Sequence, residues 1–293
     1  MKIEIIKSLS HAETPVRQAE TDQQLVDLWL HGRPSTTQTV YAGSAHEFIN
    51  HVGKTLHAIT LGDVQHYADH LLGQSLASAT CQRKLAAVKS LVSFGHRLGY
   101  LPFDVARPVR LPPSKVKLAE RILDEGEVQR MLALERQPRN HVLLVLLYAA
   151  GLRVGEVCGL TWRDLQERGD GGQVTVLGKG GKTRAILVPS SVWSKLIKLR
   201  GDATENCPVF KSRKKGCLRA VQVWRIVQRA ANRAEINKAV STHWLRHAHA
   251  SHALDRGAPI HLVQATLGHS SVATTGRYLH ARPSESSSKY LPL

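Results

Sequence analysis

The sequence predicts a mainly α-helical protein of two domains, with one small β-hairpin in the second domain. The chain has 293 residues, enough for two domains of ordinary size, and 42% of them are hydrophobic, enough for a buried core. Apolar residues recur at helical spacing along most of the chain, whereas alternation typical of strands is confined to residues 173–188. A proline-rich stretch separates the two helical regions.

The positive charge lies almost entirely in the second part of the chain. Residues 1–107 contain ten lysines and arginines against nine acidic residues, whereas residues 108–293 contain thirty against fourteen. A net charge of +17 predicts binding to nucleic acid or to an anionic membrane surface. The sequence contains no apolar run of the ~20 residues that a membrane span needs. No secretory signal and no CxxC pair are visible, so a reduced, cytoplasmic protein is expected.

The first domain is expected to be a four-helix unit over residues 21–107, after a loose leader at 1–20. Its helices are predicted from Thr21 to about 32, and over 35–50, 60–72 and 78–96, with short Gly, Ser and Pro breaks. The last helix carries basic residues and no acid, so it is a candidate for gripping a phosphate backbone through Arg83, Lys84 and Lys89. A solvated helix face explains the same residues equally well.

Residues 108–122 are predicted to be an extended basic linker. Prolines at 102, 108, 112 and 113 prevent a helix and favour a semi-rigid spacer. Arg110, Lys115 and Lys117 would lie along phosphates if the linker crosses a nucleic acid backbone.

The second domain is expected over residues 123–283, followed by a tail at 284–293. Asp124 caps the first helix, residues 141–150 form a buried central helix, and a short helix follows at 153–159. Strands at 173–177 and 183–188 flank the turn Gly178–Lys182. Further helices are predicted at 191–200, 219–234, 242–256, 259–267 and 271–279.

One helix of this domain presents an arginine stripe. Arg225, Arg229 and Arg233 follow one another at i, i+4 and i+8, and therefore share one face. Lys211 and Arg213 precede them in a loop, and Lys182 lies in the hairpin turn. We expect these residues to contact phosphates, although a solvated stripe is the alternative.

Four short motifs contain the residues that phosphodiester chemistry requires. They are Ala-Gly-Leu-Arg-Val-Gly-Glu at 150–156, Thr-His-Trp-Leu-Arg-His at 242–247, Leu-Gly-His at 267–269 and Thr-Thr-Gly-Arg-Tyr at 274–278. Arginine grips phosphate oxygens with two parallel hydrogen bonds and keeps its charge. Of the six tyrosines, Tyr278 alone closely follows a histidine-bearing loop, and it is the candidate nucleophile.

Together with the hairpin sequence Gly-Lys-Gly-Gly-Lys, these motifs resemble those of the tyrosine recombinase/integrase family, close to its Xer-like and phage-integrase members. The resemblance covers residues 20–280 and implies a two-domain DNA clamp. A helical core-binding (SAM-like) DNA-binding domain would precede a mixed α/β catalytic domain. The implied function is site-specific recombination through a 3′-phosphotyrosine intermediate and a Holliday junction, in integration, excision or dimer resolution.

The resemblance also implies a role for each motif residue. Arg153 and Arg246 would bind the scissile phosphate, with Glu156 orienting Arg153. Lys179 would protonate the 5′-oxygen leaving group, although Lys182 in the same turn is an alternative. His243 would bind the phosphate and help to move the tyrosine proton. His269 would be a further phosphate ligand, and Tyr278 would be the nucleophile.

The implied partners are double-stranded DNA and three further copies of the chain. Two duplexes require four protomers, so a tetramer on DNA and a free monomer are expected in a cytoplasmic, nucleoid-associated protein. No cofactor and no metal are implied, because the covalent link conserves the energy of the broken bond; a zinc site in the histidine-rich run is a less favoured alternative. The rivals are a type IB topoisomerase-like relaxing enzyme and a catalytically silent DNA-binding protein.

The end of the chain departs from the family pattern. Many relatives continue after the tyrosine with a helix that docks on a neighbouring protomer, but fifteen residues follow Tyr278 here, with Pro283 and Pro292 among them. An exchanged helix is therefore not expected, and Tyr290 and Leu291 are candidates for an extended anchor. Gly276 is expected to loosen the helix that carries Tyr278, which would leave the tyrosine mobile until DNA binds.

Overall fold

The computed structural model describes residues 18–112, 118–178 and 181–281, with side chains described up to residue 279 in the last stretch. The chain divides into two compact units, with the boundary between residues 116 and 117. Each unit has its own hydrophobic core. The predicted fold class, mainly helical with one small antiparallel sheet, is confirmed. None of the described helices is long and apolar enough to cross a lipid bilayer.

The first unit has four α-helices among its described residues. They are α1 (Asp22–Leu30), α2 (Ser35–Val52), α3 (Leu61–Gly73) and α4 (Ser78–Arg97). Two begin at capping boxes, in which Thr21 pairs with Gln24 and Thr60 pairs with Asp63. Phe48 and Tyr67 are fully buried, but Val40, which the helical pattern places inward, is 42% exposed.

The second unit contains eight helices in its described part. They are α5 (Glu125–Ala133), α6 (Pro138–Ala149), α7 (Val154–Gly159), α8 (Ser190–Arg200), α9 (Ala220–Arg233), α10 (Thr242–Asp255), α11 (Ile260–Leu267) and α12 (Val272–Ala281). All six residues from Val142 to Leu147 are buried, so α6 is the central helix, as its apolar composition predicts. It begins three residues earlier than expected, because Pro138 supplies the preset φ and the missing N–H that suit a first helical turn.

The sheet has three antiparallel strands in the order β1-β2-β3. They are β1 (Leu165–Arg168), β2 (Gly171–Leu177) and β3 (Thr183–Val188). The predicted hairpin is β2–β3, closed by the pair Leu177 and Thr183. The first strand was not predicted, because Leu165 is its only apolar residue and its stability comes from pairing with β2.

A small apolar cluster packs α12 against α10 and α11. It consists of the buried residues Ile122, Ala250, Val263, Leu267 and Tyr278. The last residue of the predicted linker is buried in this cluster. The helix α12 continues through Gly276, and the expected mobility of Tyr278 before DNA binds stays a prediction. The leader up to residue 17, Lys115 and Lys117 of the linker, and the tail at 284–293 lie outside the described residues.

Candidate active site

The carboxyl end of α11 is the point where the sequence motifs meet. The last carbonyls of a helix lack partners within the helix and accept hydrogen bonds from elsewhere. Three successive carbonyls here each accept from a different arginine: Thr266 from Nε of Arg184 at 2.8 Å, Leu267 from Nη2 of Arg246, and Gly268 from Nη2 of Arg153 at 3.2 Å. One helix end therefore fixes three guanidinium groups.

Arg246 is the most enclosed of these arginines, with 3% of its surface exposed. Its Nη1 donates to the carbonyl of Gly151, the second residue of the motif that contains Arg153. Gly151 has φ +57°, and a Cβ there would lie 2.7 Å from Leu267, so glycine permits this close approach. Burial, and then the charge of Arg153, lower the pKa of Arg246 to about 10, and the group stays protonated at neutral pH.

Glu156 is shared by two arginines. Its Oε1 accepts from Nη1 of Arg153 at 2.9 Å and from Nη1 of Arg184 at 2.7 Å, while its Oε2 accepts from Nη2 of Arg184 at 2.9 Å. The backbone N–H of Arg153 also donates to Oε2, at 2.8 Å, which caps α7. Burial raises the pKa of Glu156, but the hydrogen bonds from Arg184 and Arg153 outweigh it, and the pKa lies below its usual value. Glu156 therefore stays ionised.

Tyr278 is buried, and its hydroxyl is 2.7 Å from Nδ1 of His247. Burial raises the pKa of the phenol, against the charges of Arg246 and Arg277, so the hydroxyl is protonated at neutral pH. Burial and neighbouring positive charges lower the pKa of His247 to about 4, so its ring is neutral. A neutral imidazole beside a protonated phenol is positioned to accept its proton.

The other two predicted histidines lie on either side of this pair. His269 has its ring 6.5 Å from that of Tyr278 and nearly parallel to it, and its Nδ1 is 2.9 Å from Oγ1 of the buried Thr275. Burial and three arginines lower the pKa of His269 to about 4. The ring of His243 lies 6.0 Å from that of His247, and the residue is exposed. The structure thus places His247, rather than His243, against the tyrosine hydroxyl.

Two residues of this site are not among those predicted from the sequence. His247 ends the motif at 242–247 and follows Arg246 directly, but no catalytic role was predicted for it. Arg184 was assigned only to a strand, yet period-two alternation places it on the same face as the buried residues Ile186 and Val188. A charged side chain on a buried face requires a partner, and this signal was available in the sequence.

The hairpin turn is described only in part. Lys179 lies outside the described residues, whereas Lys182 is exposed beside the start of β3. The predicted general acid therefore stays a prediction, and so does the choice between the two lysines.

A basic groove runs along α9 and the loop before it, with a volume of about 1090 Å³. Its lining includes the predicted residues Arg213, Arg225, Arg229 and Arg233. Arg225 and Arg229 are exposed, whereas Arg233 forms an ion pair with Glu135. Lys211 is exposed at the start of the same loop, and its carbonyl accepts from Arg139.

The basic residues predicted to bind DNA in the first unit are used in different ways. Lys84 forms an ion pair with Glu47 at 2.6 Å, and Lys89 donates to the carbonyls of Arg107 and Val109. Arg83 and Arg110 are exposed. Two of the four described candidates therefore have partners within the chain.

Known proteins are similar to this chain over most of its length. The model of the phage integrase family matches residues 121–285. The tyrosine recombinase XerC of Xanthomonas campestris pv. campestris (strain B100) is 38% identical over 221 residues, which span 73% of this chain and 66% of that protein. The tyrosine recombinase XerD of Shewanella oneidensis is 30% identical over 275 residues, which span 88% of this chain and 91% of that protein.

Solved structures have the same fold. A lambda integrase tetramer bound to a Holliday junction aligns with a TM-score of 0.69 and 18% identity, covering 89% of this chain and 83% of that one. The sequence-based assignment to the tyrosine recombinases is confirmed. The chain belongs to the phage integrase family, among the tyrosine recombinases.

Proposed function

We propose that this protein is a site-specific DNA recombinase that cleaves and rejoins duplex DNA with Tyr278 as its nucleophile. The observation that carries the proposal is the meeting of three groups at the carboxyl end of α11. Tyr278 packs against Leu267, the carbonyl of Leu267 orients Arg246, and the next carbonyl orients Arg153. A phenol thus lies in the same small region as two fixed guanidinium groups.

The chemistry assigned to these groups is a transesterification. The Tyr278 oxygen attacks the scissile phosphorus, a phosphotyrosine bond forms at the 3′ end, and the bond from phosphorus to the 5′-oxygen breaks. Arg153 and Arg246 neutralise the charge that develops on the non-bridging oxygens. His247, 2.7 Å from the hydroxyl, takes the phenol proton, and His243 and His269 bind the phosphate. A 5′-hydroxyl later attacks the phosphotyrosine, which reverses the step and seals a strand.

The leaving 5′-oxygen needs a proton, and Lys179 is proposed as its source. The lysine belongs to the turn that joins β2 to β3, and β3 carries Arg184, which is bonded to Thr266. A lysine ammonium is a suitable acid when positive neighbours lower its pKa. Lys182, in the same turn, is the alternative donor.

The α9 groove and the first unit are proposed to hold the duplex. Exposed arginines such as Arg225 and Arg229 suit phosphate contacts, and they supply affinity without reading the sequence. We assign residues 21–107 to DNA binding and residues 123–283 to catalysis. The lambda integrase solved as a tetramer on a Holliday junction supports four copies of the chain in the active complex. A cytoplasmic protein associated with the nucleoid follows from this role.

The test is a nicked duplex on which cleavage releases a short fragment and traps the covalent intermediate. Wild type is expected to form a protein–DNA adduct that survives denaturing gels, and Tyr278→Phe is expected to bind the duplex but form none. An adduct in Tyr278→Phe would refute the choice of nucleophile, and no adduct with wild type on any recovered target site would refute the proposed function. Formation of a four-way junction from two duplexes separates recombination from simple relaxation.

A further inference from the structure

Arg184 makes more contacts than its place on β3 requires. Its side chain is 12% exposed, and three of its N–H groups are used: Nε on the carbonyl of Thr266, and Nη1 and Nη2 on the two oxygens of Glu156. The two-point contact with a carboxylate fixes the plane of both groups. Arg184 therefore joins β3 to α7 and to the carboxyl end of α11.

The charges of this group explain why a second arginine matters. Glu156 is 6% exposed, and it carries one negative charge between two arginines. With Arg184 present, the group of three has a net charge of +1, so Arg153 retains attraction for an anionic phosphate. Without Arg184, the half-buried Arg153 and the buried Glu156 would form a neutral pair, and the guanidinium would be held by its carboxylate.

Arg184 and Arg153 also contact the same residue, Gly268. Arg153 donates to the carbonyl of Gly268, and a Cβ at Gly268 would lie 3.1 Å from Cδ of Arg184. Both arginines are thus packed against the turn that precedes His269. A shift of Arg184 would move the surface on which Arg153 is oriented.

We propose that Arg184 is a positioning residue of the cleavage reaction. It neutralises and orients Glu156, and through Glu156 it leaves the Arg153 guanidinium free and correctly aimed for the scissile phosphate. Arg184 is assigned no contact with the phosphate, since all three of its side-chain nitrogens already donate within the chain, two of them to Glu156. This inference rests on the proposed function, since it concerns the same phosphate.

The experiment measures single-turnover cleavage of the nicked duplex at saturating protein, with duplex affinity measured separately. Arg184→Gln is expected to lower the cleavage rate by about 10- to 100-fold, the usual cost of losing a residue that supports a ligand. The affinity of Arg184→Gln for the duplex is expected to stay within about threefold of wild type, since Arg184 is not an exposed residue that contacts the DNA backbone. Arg168→Ala is the matched control: Arg168 is exposed on the same sheet, bonded to Gln173, and its loss is expected to change neither quantity.

A double-mutant cycle distinguishes positioning from simple structural support. In a Glu156→Gln background there is no carboxylate charge to balance, so adding Arg184→Gln is expected to cost less than about threefold in rate. A role limited to holding β3 against Thr266 would give the same loss in both backgrounds, and that result would overturn the inference.

If Arg184→Gln does not fold, the cleavage rate of Arg184→Lys is measured instead. Because lysine keeps the charge, Arg184→Lys is expected to cleave at least about fivefold faster than Arg153→Gln, which lacks the charge that grips the phosphate; equal rates would overturn the inference.

The outcomes separate the two proposals. If wild type forms no adduct, the proposed function fails. If wild type forms the adduct and Arg184→Gln cleaves as fast as Arg168→Ala, the proposed function stands and the role of Arg184 fails.

Discussion

Two groups of arginines in the second unit differ in how they are held. At the carboxyl end of α11, Arg246 is 3% exposed and bonded to two main-chain carbonyls, and Arg153 is bonded to a third. Along α9, Arg225 and Arg229 are exposed and line an open groove. The residue type is the same, but the first group is held by main-chain hydrogen bonds, whereas the second is exposed to solvent.

We expect the arginines held at the end of α11 to act in the reaction and the exposed arginines of α9 to act in DNA binding. A fixed guanidinium needs no reorganisation when charge develops on a phosphate, so it stabilises the transition state. A mobile guanidinium follows any phosphate within reach, so it contributes to binding in proportion to the counterions that it releases. Removing a member of each group should therefore affect different measurements.

The largest effect is expected from Arg246→Lys, which keeps the positive charge and loses the planar fork. Cleavage of the nicked duplex is expected to fall on the order of 10³-fold, because a point charge cannot replace two oriented donors. Duplex affinity is expected to change by less than about threefold, since one buried contact is a small part of the whole interface. Single-turnover rates and binding isotherms check both numbers. A loss of affinity as large as the loss of rate would remove the distinction between the two groups.

An intermediate effect is expected from pH, because the buried site contains histidines whereas the α9 groove is lined by arginines. Burial lowers the pKa of His247, His249 and His269 to about 4 in the folded chain, against a usual value near 6.5. The unfolded chain therefore binds more protons between these values, and stability falls as pH falls from about 6.5 to about 4. Each histidine is expected to contribute about 1 kcal/mol per pH unit to the free energy of unfolding.

Denaturant unfolding at pH 7, 6 and 5 measures this slope. His249, whose Nδ1 donates to the carbonyl of Tyr148 at 2.8 Å, offers a variant away from the proposed chemistry. His249→Gln is expected to reduce the slope by the share of one histidine. An unchanged slope would show that the acid-sensitive groups lie elsewhere in the chain.

The smallest effect is expected from the groove. Arg225→Ala with Arg229→Ala removes two proposed phosphate contacts, so the plot of log affinity against log salt is expected to become shallower by about 1.8. Cleavage at saturating protein is expected to stay within about twofold of wild type. Binding measured from about 0.05 to 0.2 M salt gives the slope. A large fall in the cleavage rate at saturating protein would show that α9 takes part in the reaction, and the two groups of arginines would then not differ in function.

Most helices could be predicted because their signals are local. Thr21, Thr60 and Asp124 each begin a helix through a side-chain cap, and Gly53 and Gly268 end helices in the left-handed region, as short-range chemistry requires. The strand β1 could not be predicted, because its polar residues gain stability only from the neighbouring strand.

Part of the site was predictable and part depended on tertiary contacts. Arg153, Arg246, His269 and Tyr278 come from motifs with fixed spacing, and the structure brings them together around one helix end. The contact between His247 and Tyr278 joins positions 31 residues apart, and no helical or strand period reveals it. The same holds for Arg184 and Glu156, which are 28 residues apart.

The three carbonyls at the end of α11 have a consequence for how this chain tolerates sequence change. Thr266 offers only its main-chain oxygen to Arg184, so its replacement leaves that acceptor in place, whereas the side chain of Leu267 is buried in the cluster that contains Tyr278. Gly268 is different, since its φ of +63° and its contact with Arg184 leave little room for a side chain. Variation among homologous recombinases is therefore expected at position 266 more readily than at 267, where packing restricts the side chain, or at 268, where the backbone conformation does.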